Sequence, residues 1–289
     1  MMTAVMPTGS TFIVSASRTC RSLVLEDGDH AFELGGRRFE VLHTPSAEGT
    51  DHVCVWLPDE KILFTGDFFG PLFPMFPNLY TIRGEKFRPP IPYVAALDRL
   101  IALEPEMLVP SHFVPIRGRD AIRRDMTKIR DAVQYVHDAT VDGMNDGKSV
   151  HELMRDVRLP PELALSEAHG KVAWSVRGLW EHYSGFFHFE STAELYDVPP
   201  RAVHADLVRL AGGADAIVAA ARAHLANGEP VHAIHLLDVV RAAEPDHAGQ
   251  KRARIEALEQ LLVRSGDENH SEVLWLSNRI AHLREELGE

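Results

Sequence analysis

The hydrophobic periodicity of this 289-residue chain changes near residue 118, and the change limits the folds open to it. Before that point, short β-branched or aromatic runs alternate with turn signals, a pattern typical of β-strands. After it, apolar residues recur every three or four positions, as in amphipathic helices. The sequence therefore predicts an α+β chain with a strand-rich part over residues 1–118 and a helical part over residues 119–289.

The strand-rich part contains one interval with helical spacing, over residues 93–103. Because this interval lies between two predicted strands, we expect its helix to pack as a layer against the sheet. The predicted strands are 31–34, 39–43, 53–57, 61–64 and 107–110.

The helical part begins with one apolar stripe, which predicts a long helix from about residue 120. Gly143 and Gly147 are expected to mark its end. Ser149, followed by Glu152, has the spacing of a capping box and predicts the start of the next helix. The later hairpins resemble tetratricopeptide-style pairs without a strict 34-residue repeat. The stripe residues are 122, 126, 129, 133 and 136, and the later predicted helices are 171–183, 202–211, 213–226, 229–243, 246–263 and 268–287.

Composition excludes several classes of protein. With 45% hydrophobic and 25% charged residues, the chain has the composition of a globular protein and not of a disordered or collagen-like one. No apolar run approaches the roughly 18 residues that a membrane span needs. The net charge of −12 argues against nucleic acid as a partner. Cys20 and Cys54 form no CxxC pair, so neither a disulfide scaffold nor a thiolate zinc site is expected.

The N-terminal segment lacks the features of a signal peptide. Its short apolar run, residues 11–17, is followed by Arg18, whereas a signal peptide has basic residues first and a longer apolar core after them. We therefore expect a cytoplasmic protein.

Three potential metal ligands, Glu48, Asp67 and His112, each follow a predicted strand. Loops at the carboxyl ends of strands converge in layered α/β proteins, so these side chains are expected to meet. Two carboxylates and one imidazole suit zinc, manganese or iron better than a soft metal. Three protein ligands plus water also make the minimal open site of a hydrolytic zinc enzyme.

Structural explanations compete with this interpretation at each position. An aspartate after a glycine, as at Asp67, is commonly a turn residue or a helix cap. Asp51 and His52 could form an ordinary surface pair, and His112 could be a hydrogen-bonded loop histidine. His52 is also a weaker second candidate for a histidine ligand.

The order of these segments resembles the C-terminal half of a metallo-β-lactamase-fold hydrolase. Later segments resemble the linear alkyl sulfatases and their dimerisation domain, so the likeness runs from about residue 25 to the end of the chain. The segments that carry the first likeness are His43-Thr-Pro45, Asp51-His52-Val-Cys-Val-Trp-Leu-Pro58, Phe64-Thr-Gly-Asp67 and Val109-Pro-Ser-His112. Those that carry the second are 76–84, 129–138, 143–147, 159–161, 172–177, 183–187 and 210–213.

The resemblance implies a metal-ligand role for three residues. Glu48 is similar to an acidic ligand, Asp67 to the carboxylate that bridges two metal ions, and His112 to the last histidine ligand. Zinc is the metal that the resemblance implies, in a two-metal site.

The resemblance also implies substrate contacts. Arg83 is similar to a residue expected to hold the sulfate group, a task that suits a planar guanidinium. Asn78 and Tyr80 would shape the pocket, and Tyr183 would close over the alkyl-sulfate site. The implied partners are a small alkyl ester and a second copy of the chain, bound through the helical part.

One departure from the family pattern leaves two functions open. The His-x-His-x-Asp-His motif of the family has no counterpart in this sequence. The first hypothesis is a metal-dependent hydrolase related to alkyl sulfatases, with weak or absent metal binding and hydrolysis in this chain. The alternative is a catalytically inactive protein that dimerises. A recorded start downstream of the true one would also explain the missing motif.

Overall fold

The computed structural model describes residues 28–82 and 88–289, which form two compact units, one extending to Tyr183 and the other beginning at Ser184. This division differs from the predicted domain boundary at 118/119, which stays a prediction. Within the described ranges, no helix combines the length and apolar character needed to cross a bilayer. Arg83, Cys20 and the N-terminal segment on which the cytoplasmic expectation depends lie outside the described residues.

The described part of the first unit contains a six-stranded sheet whose strands lie side by side in sequence order. Neighbouring strands are antiparallel except β4, Ile62–Gly66, and β5, Met107–Pro110, which are parallel and are connected through helix α1, Pro90–Ala102. The strands are β1 His30–Leu34, β2 Arg37–His43, β3 Val53–Leu57, β4 Ile62–Gly66, β5 Met107–Pro110 and β6 Ile116–Arg117. The predicted strands and the predicted helix between them are confirmed.

One face of the sheet packs against α1 and the long helix α2, Arg119–Asn145. The predicted stripe of α2 is confirmed, because all five of its apolar side chains are buried in the same core as the sheet residues. Core residues from the strands and helices include Leu42, Cys54, Trp56, Leu63, Tyr93, Leu97, Leu100, Leu108, Ile122, Met126, Ile129, Val133 and Val136.

After α2, the chain forms helix α3 Val150–Asp156, a 3₁₀ turn at Pro161–Leu163 and helix α4 Val172–Ser184. The predicted capping box is confirmed, because Ser149 accepts a hydrogen bond from the Glu152 backbone and the Glu152 side chain accepts one from Ser149. The predicted end of α2 is confirmed: the helix ends at Asn145, between the two glycines, and Gly147 follows with a φ of +76°. Gly143 itself lies in the last turns of the helix. A Cβ atom at Gly143 would lie 2.2 Å from Leu153 Cδ2, so this glycine lets α2 and α3 approach each other.

The second unit is helical over its described residues. The predicted helix near 202–211 divides into a 3₁₀ turn at Pro200–Val203 and helix α5, and the other predicted helices are confirmed to within a few residues. Two apolar clusters form its core, one around α6 and α7 and the other between α8 and α9. The helices are α5 His204–Leu210, α6 Ala214–Ala226, α7 Pro230–Ala243, α8 Ala248–Ser265 and α9 His270–Leu287.

Candidate functional site

The carboxyl ends of β4 and β5 bring Asp67 and His112 together. The parallel pairing places Gly66 opposite Pro110, and the Ser111 backbone N–H donates to the Gly66 carbonyl at 3.2 Å. His112 Nε2 consequently lies 3.0 Å from Asp67 Oδ1, and Ser111 Oγ donates to the same oxygen at 2.5 Å. Both side chains are partly exposed, 53% for His112 and 36% for Asp67, so the pair is open to a ligand.

His52 lies behind this pair, against the backbone of β4. Gly66 has a φ of +52°, and a Cβ atom there would lie 3.3 Å from His52 Nε2, so glycine leaves room for the imidazole. His52 Nδ1 lies 2.8 Å from Thr44 Oγ1. Burial lowers the pKa of His52, while the nearby Asp67 carboxylate acts in the opposite direction. The neutral imidazole is therefore the favoured form beside Asp67.

Glu48, the third predicted ligand, forms an ion pair with a buried arginine. Arg88 Nη2 lies 2.9 Å from Glu48 Oε1, and Arg88 Nε donates to the Glu48 carbonyl at 3.1 Å. Arg88 Nη1 also donates to the Asn78 carbonyl at 2.9 Å. The Arg88 guanidinium therefore links the loop that contains Glu48 to the loop that contains Asn78. Arg88 was not predicted from the sequence, because it belongs to no motif. The one available signal is its position just before the two prolines at the start of α1.

Two glycines, one just before α4 and one within it, allow the segment that contains Asn78 and Tyr80 to pack closely against this helix. A Cβ atom at Gly170 would lie 2.1 Å from the Pro77 carbonyl oxygen and 2.8 Å from the Asn78 backbone nitrogen. A Cβ atom at Gly178 would lie 2.0 Å from Tyr80 Cδ1. Asn78 is buried at 3% exposure and burial raises the pKa of Tyr80, so both predicted pocket residues belong to a packed segment. A direct role for either in substrate binding stays a prediction.

Tyr183, at the end of α4, lies beside this segment and is half exposed, at 47%. Burial is the main cause of the raised pKa of Tyr80, and a coulombic interaction with Tyr183 acts in the same direction. The hydroxyl group of Tyr183 lies 2.8 Å from His137 Nε2 on α2. The structure thus places Tyr183 and Tyr80 in one neighbourhood.

Apolar side chains following β4 are core residues. From the sequence, five of them could line an alkyl-chain groove, with burial in the core as the favoured use: Phe68, Phe69, Phe73, Met75 and Phe76. Phe73 is partly buried, and its ring stacks against Phe113, next to His112, at a centroid distance of 6.5 Å. The other four are buried: Phe68, Phe69, Met75 and Phe76.

The described residues do not complete a metal site. Within 28–82 and 88–289, no three His, Cys, Asp or Glu side chains converge to hold a metal ion. Asp67 and His112 have suitable donor atoms, but the Glu48 carboxylate is paired with Arg88. Burial raises the pKa of Cys54 to about 12, so this thiol stays protonated and is a poor ligand. No step of a reaction can therefore be assigned to a metal on these residues alone.

Two family descriptions match the chain. Residues 6–112 match the Metallo-beta-lactamase superfamily, and residues 149–275 match Alkyl sulfatase dimerisation. The first of these families implies metal binding and does not identify the metal.

Among curated proteins, the chain is 37% identical over 193 residues to a linear primary-alkylsulfatase of Pseudomonas sp. (strain ATCC 19151), an alignment covering 65% of this chain and 36% of that protein. It is 26% identical over 248 residues to an (R)-specific secondary-alkylsulfatase of Pseudomonas sp., covering 83% of this chain and 37% of that protein. The chain thus spans little more than a third of the length of these relatives.

A similar solved structure is the stereoselective inverting sec-alkylsulfatase Pisa1 from Pseudomonas sp. The two share 25% of aligned residues with a TM-score of 0.80, covering 91% of this chain and 42% of that one. The fold comparison therefore extends over most of this sequence.

Proposed function

We propose that this chain belongs with the alkyl sulfatases and takes part in hydrolysing alkyl sulfate esters to alcohol and sulfate. The proposal is supported by the match to the metallo-β-lactamase superfamily, followed along the chain by the match to alkyl sulfatase dimerisation. The observation that carries this proposal is the approach of His112 Nε2 to Asp67 Oδ1 at the edge of the sheet. This carboxylate and this imidazole are two of the three groups that the family resemblance implies as metal ligands, the third being Glu48.

The chain's own residues would hold the site in shape. Ser111 donates to Asp67 and so fixes the orientation of the carboxylate. Arg88 holds the loops of Glu48 and Asn78 together. Arg83 is proposed to bind the sulfate group through its guanidinium.

Zinc is the proposed metal, because imidazole and carboxylate are among its usual ligands. When bound, it would supply a more acidic water and polarise the ester. Two donors are fewer than the three protein ligands of a catalytic zinc site, so we expect zinc binding to this chain to be weak and hydrolysis to be slow or absent.

Zinc titration by calorimetry and a sulfate-release assay on dodecyl sulfate test this expectation together. Asp67→Asn and His112→Gln should remove the weak zinc binding of the unmodified chain, while His151→Gln, at an exposed position on α3, should leave it unchanged. Micromolar zinc affinity with turnover by the unmodified chain would contradict the expected weakness. Zinc binding that survives both site substitutions would contradict the assignment of Asp67 and His112.

A second function is favoured by exposed apolar side chains within the segment that matches alkyl sulfatase dimerisation. Between residues 186 and 210 these side chains face solvent, and a surface of this kind marks a site of association. The most exposed are Phe186 at 82%, Phe189 at 84%, Tyr196 at 69% and Leu210 at 74%. We infer that the chain forms a homodimer through this surface, independently of hydrolysis.

Light scattering at several protein concentrations tests the homodimer. We expect the mass of a dimer in the presence of a chelator, because apolar burial needs no metal. Replacing Phe189 with aspartate should shift the equilibrium toward monomer, whereas Val263→Asp, at an apolar position of similar exposure outside this surface, should not. A monomer at all concentrations would contradict the inference.

A further inference from the structure

Three side chains outside the predicted metal ligands form a continuous hydrogen-bonded chain, here called the Asp138–His137–Tyr183 relay. Asp138 Oδ1 lies 2.8 Å from His137 Nδ1, and His137 Nε2 lies 2.8 Å from the Tyr183 hydroxyl oxygen. Gln134 Nε2 donates to the same Asp138 oxygen at 2.7 Å and so fixes the carboxylate. The His137 side chain is only 13% exposed, whereas Tyr183 is half exposed. The relay therefore leads from a shielded imidazole to a phenol that a ligand can reach.

The relay determines where the hydrogen atoms lie. An ionised carboxylate only accepts hydrogen bonds, so His137 donates from Nδ1 to Asp138. In a neutral imidazole the other nitrogen is then an acceptor, and Tyr183 donates its hydroxyl hydrogen to Nε2. In this state Tyr183 offers only oxygen lone pairs to anything else that approaches it.

Protonation of His137 reverses this direction. Both ring nitrogens of an imidazolium are donors, so Nε2–H donates to the Tyr183 oxygen. The hydroxyl hydrogen of Tyr183 can then turn outward and donate to an anionic oxygen, and the new positive charge favours that anion further. A sulfate group is such an anion, and it carries acceptors only.

The groups around His137 allow this proton to be assigned. Asp138 on α2 and Tyr183 on α4 bond His137 directly. Among the described residues, titratable neighbours of Tyr183 include His182, whose ring centroid lies 5.1 Å from that of the tyrosine, and Tyr80 in the segment packed on α4. His182 is therefore the matched control for His137.

We propose that His137 is a positioning residue for Tyr183, and that an alkyl sulfate or sulfonate anion binds at Tyr183 with uptake of one proton from solvent by His137. The proposal rests on the proposed function, because it takes Tyr183 as a contact of the sulfate group. It adds a coupling between ligand binding and protonation, in which His137 takes up the proton and Asp138 orients the His137 ring.

Calorimetric titration with octane-1-sulfonate measures the coupling, since its C–S bond is not a substrate for ester hydrolysis. The titration is run at a single pH, chosen above the range in which the ¹⁵N shifts of His137 change in the unliganded chain, and in two buffers that differ in ionisation enthalpy. The unmodified chain should take up close to one proton per ligand. His137→Gln and Tyr183→Phe should abolish the uptake, and His182→Gln should retain it. Binding without proton uptake, or uptake that persists in His137→Gln, would overturn the proposal.

Nitrogen chemical shifts of ¹⁵N-labelled histidine test the relay without any ligand. At high pH, His137 should be the Nδ1–H tautomer, and Asp138→Asn should reduce the population of this tautomer. An Nε2–H tautomer in the unmodified chain would contradict the relay. If octane-1-sulfonate does not bind at all, the proposed function and the coupling both fail for this chain; if it binds without proton uptake, only the coupling fails.

Discussion

Replacing Gly178 with alanine is expected to lower the free energy of unfolding of the first unit by roughly 1 kcal/mol when Tyr80 is present. The new Cβ atom would lie 2.0–2.1 Å from Tyr80 Cδ1 and Cγ, and Cγ is too close to its own backbone to swing away. Overpacking of this kind typically costs about 1–3 kcal/mol. The better helix propensity of alanine offsets about 1 kcal/mol of the clash.

The same substitution should have the opposite sign when Tyr80 is already alanine. Without the ring, only the helix propensity remains, so Gly178→Ala should then stabilise the unit by up to about 1 kcal/mol. Urea unfolding of the four proteins of the cycle, followed by tryptophan fluorescence, measures the coupling. Additive effects of the two substitutions would show that α4 and the segment of Tyr80 do not pack as described.

Replacing Arg88 with methionine is expected to cost about 3 kcal/mol of stability. The substitution keeps much of the side chain's volume, but it removes the guanidinium that donates to the Glu48 and Asn78 carbonyls and that forms an ion pair with the Glu48 carboxylate. Lysine should recover only part of the loss, because one ammonium group cannot reproduce the planar, branched set of donors.

Arg99 provides the matched control for Arg88. It too bonds a backbone carbonyl and a carboxylate, those of His43 and Asp29, but it is 47% exposed whereas Arg88 is 6% exposed. Arg99→Met should therefore cost less than about 1 kcal/mol. Equal losses in the two variants, measured by urea unfolding, would contradict the idea that burial makes Arg88 important.

Local pattern was sufficient to predict most of the fold. The stripe from Ile122 to Val136 and the capping box at Ser149 depend only on residues three or four positions apart, so they can be read without tertiary information. The meeting of Asp67 and His112 was also predictable, because parallel neighbouring strands end at the same edge of a sheet.

Contacts between distant segments were not predictable in this way. Arg88 forms an ion pair with the Glu48 carboxylate, 40 positions earlier in the sequence, and no local sequence pattern indicates this pair. Gly143 reads as a helix end, but its role is set by Leu153 on the neighbouring helix. From the sequence alone, His137 is an ordinary polar residue of an amphipathic helix. Its contact with Tyr183 depends on the packing of α4 against α2. Each of these depends on which surfaces meet and not on spacing along the chain.

The core shared by the sheet and α2 has a consequence for dividing this protein into fragments. Ile122, Met126 and Ile129 are fully buried in the core that also contains Leu63 and Leu108. A fragment that stops at residue 118 would expose that apolar face to water and would aggregate. A cut at the end of α4, close to Ser184, keeps the core intact, so exchange of parts with related proteins should be made there and not where the periodicity of the sequence changes.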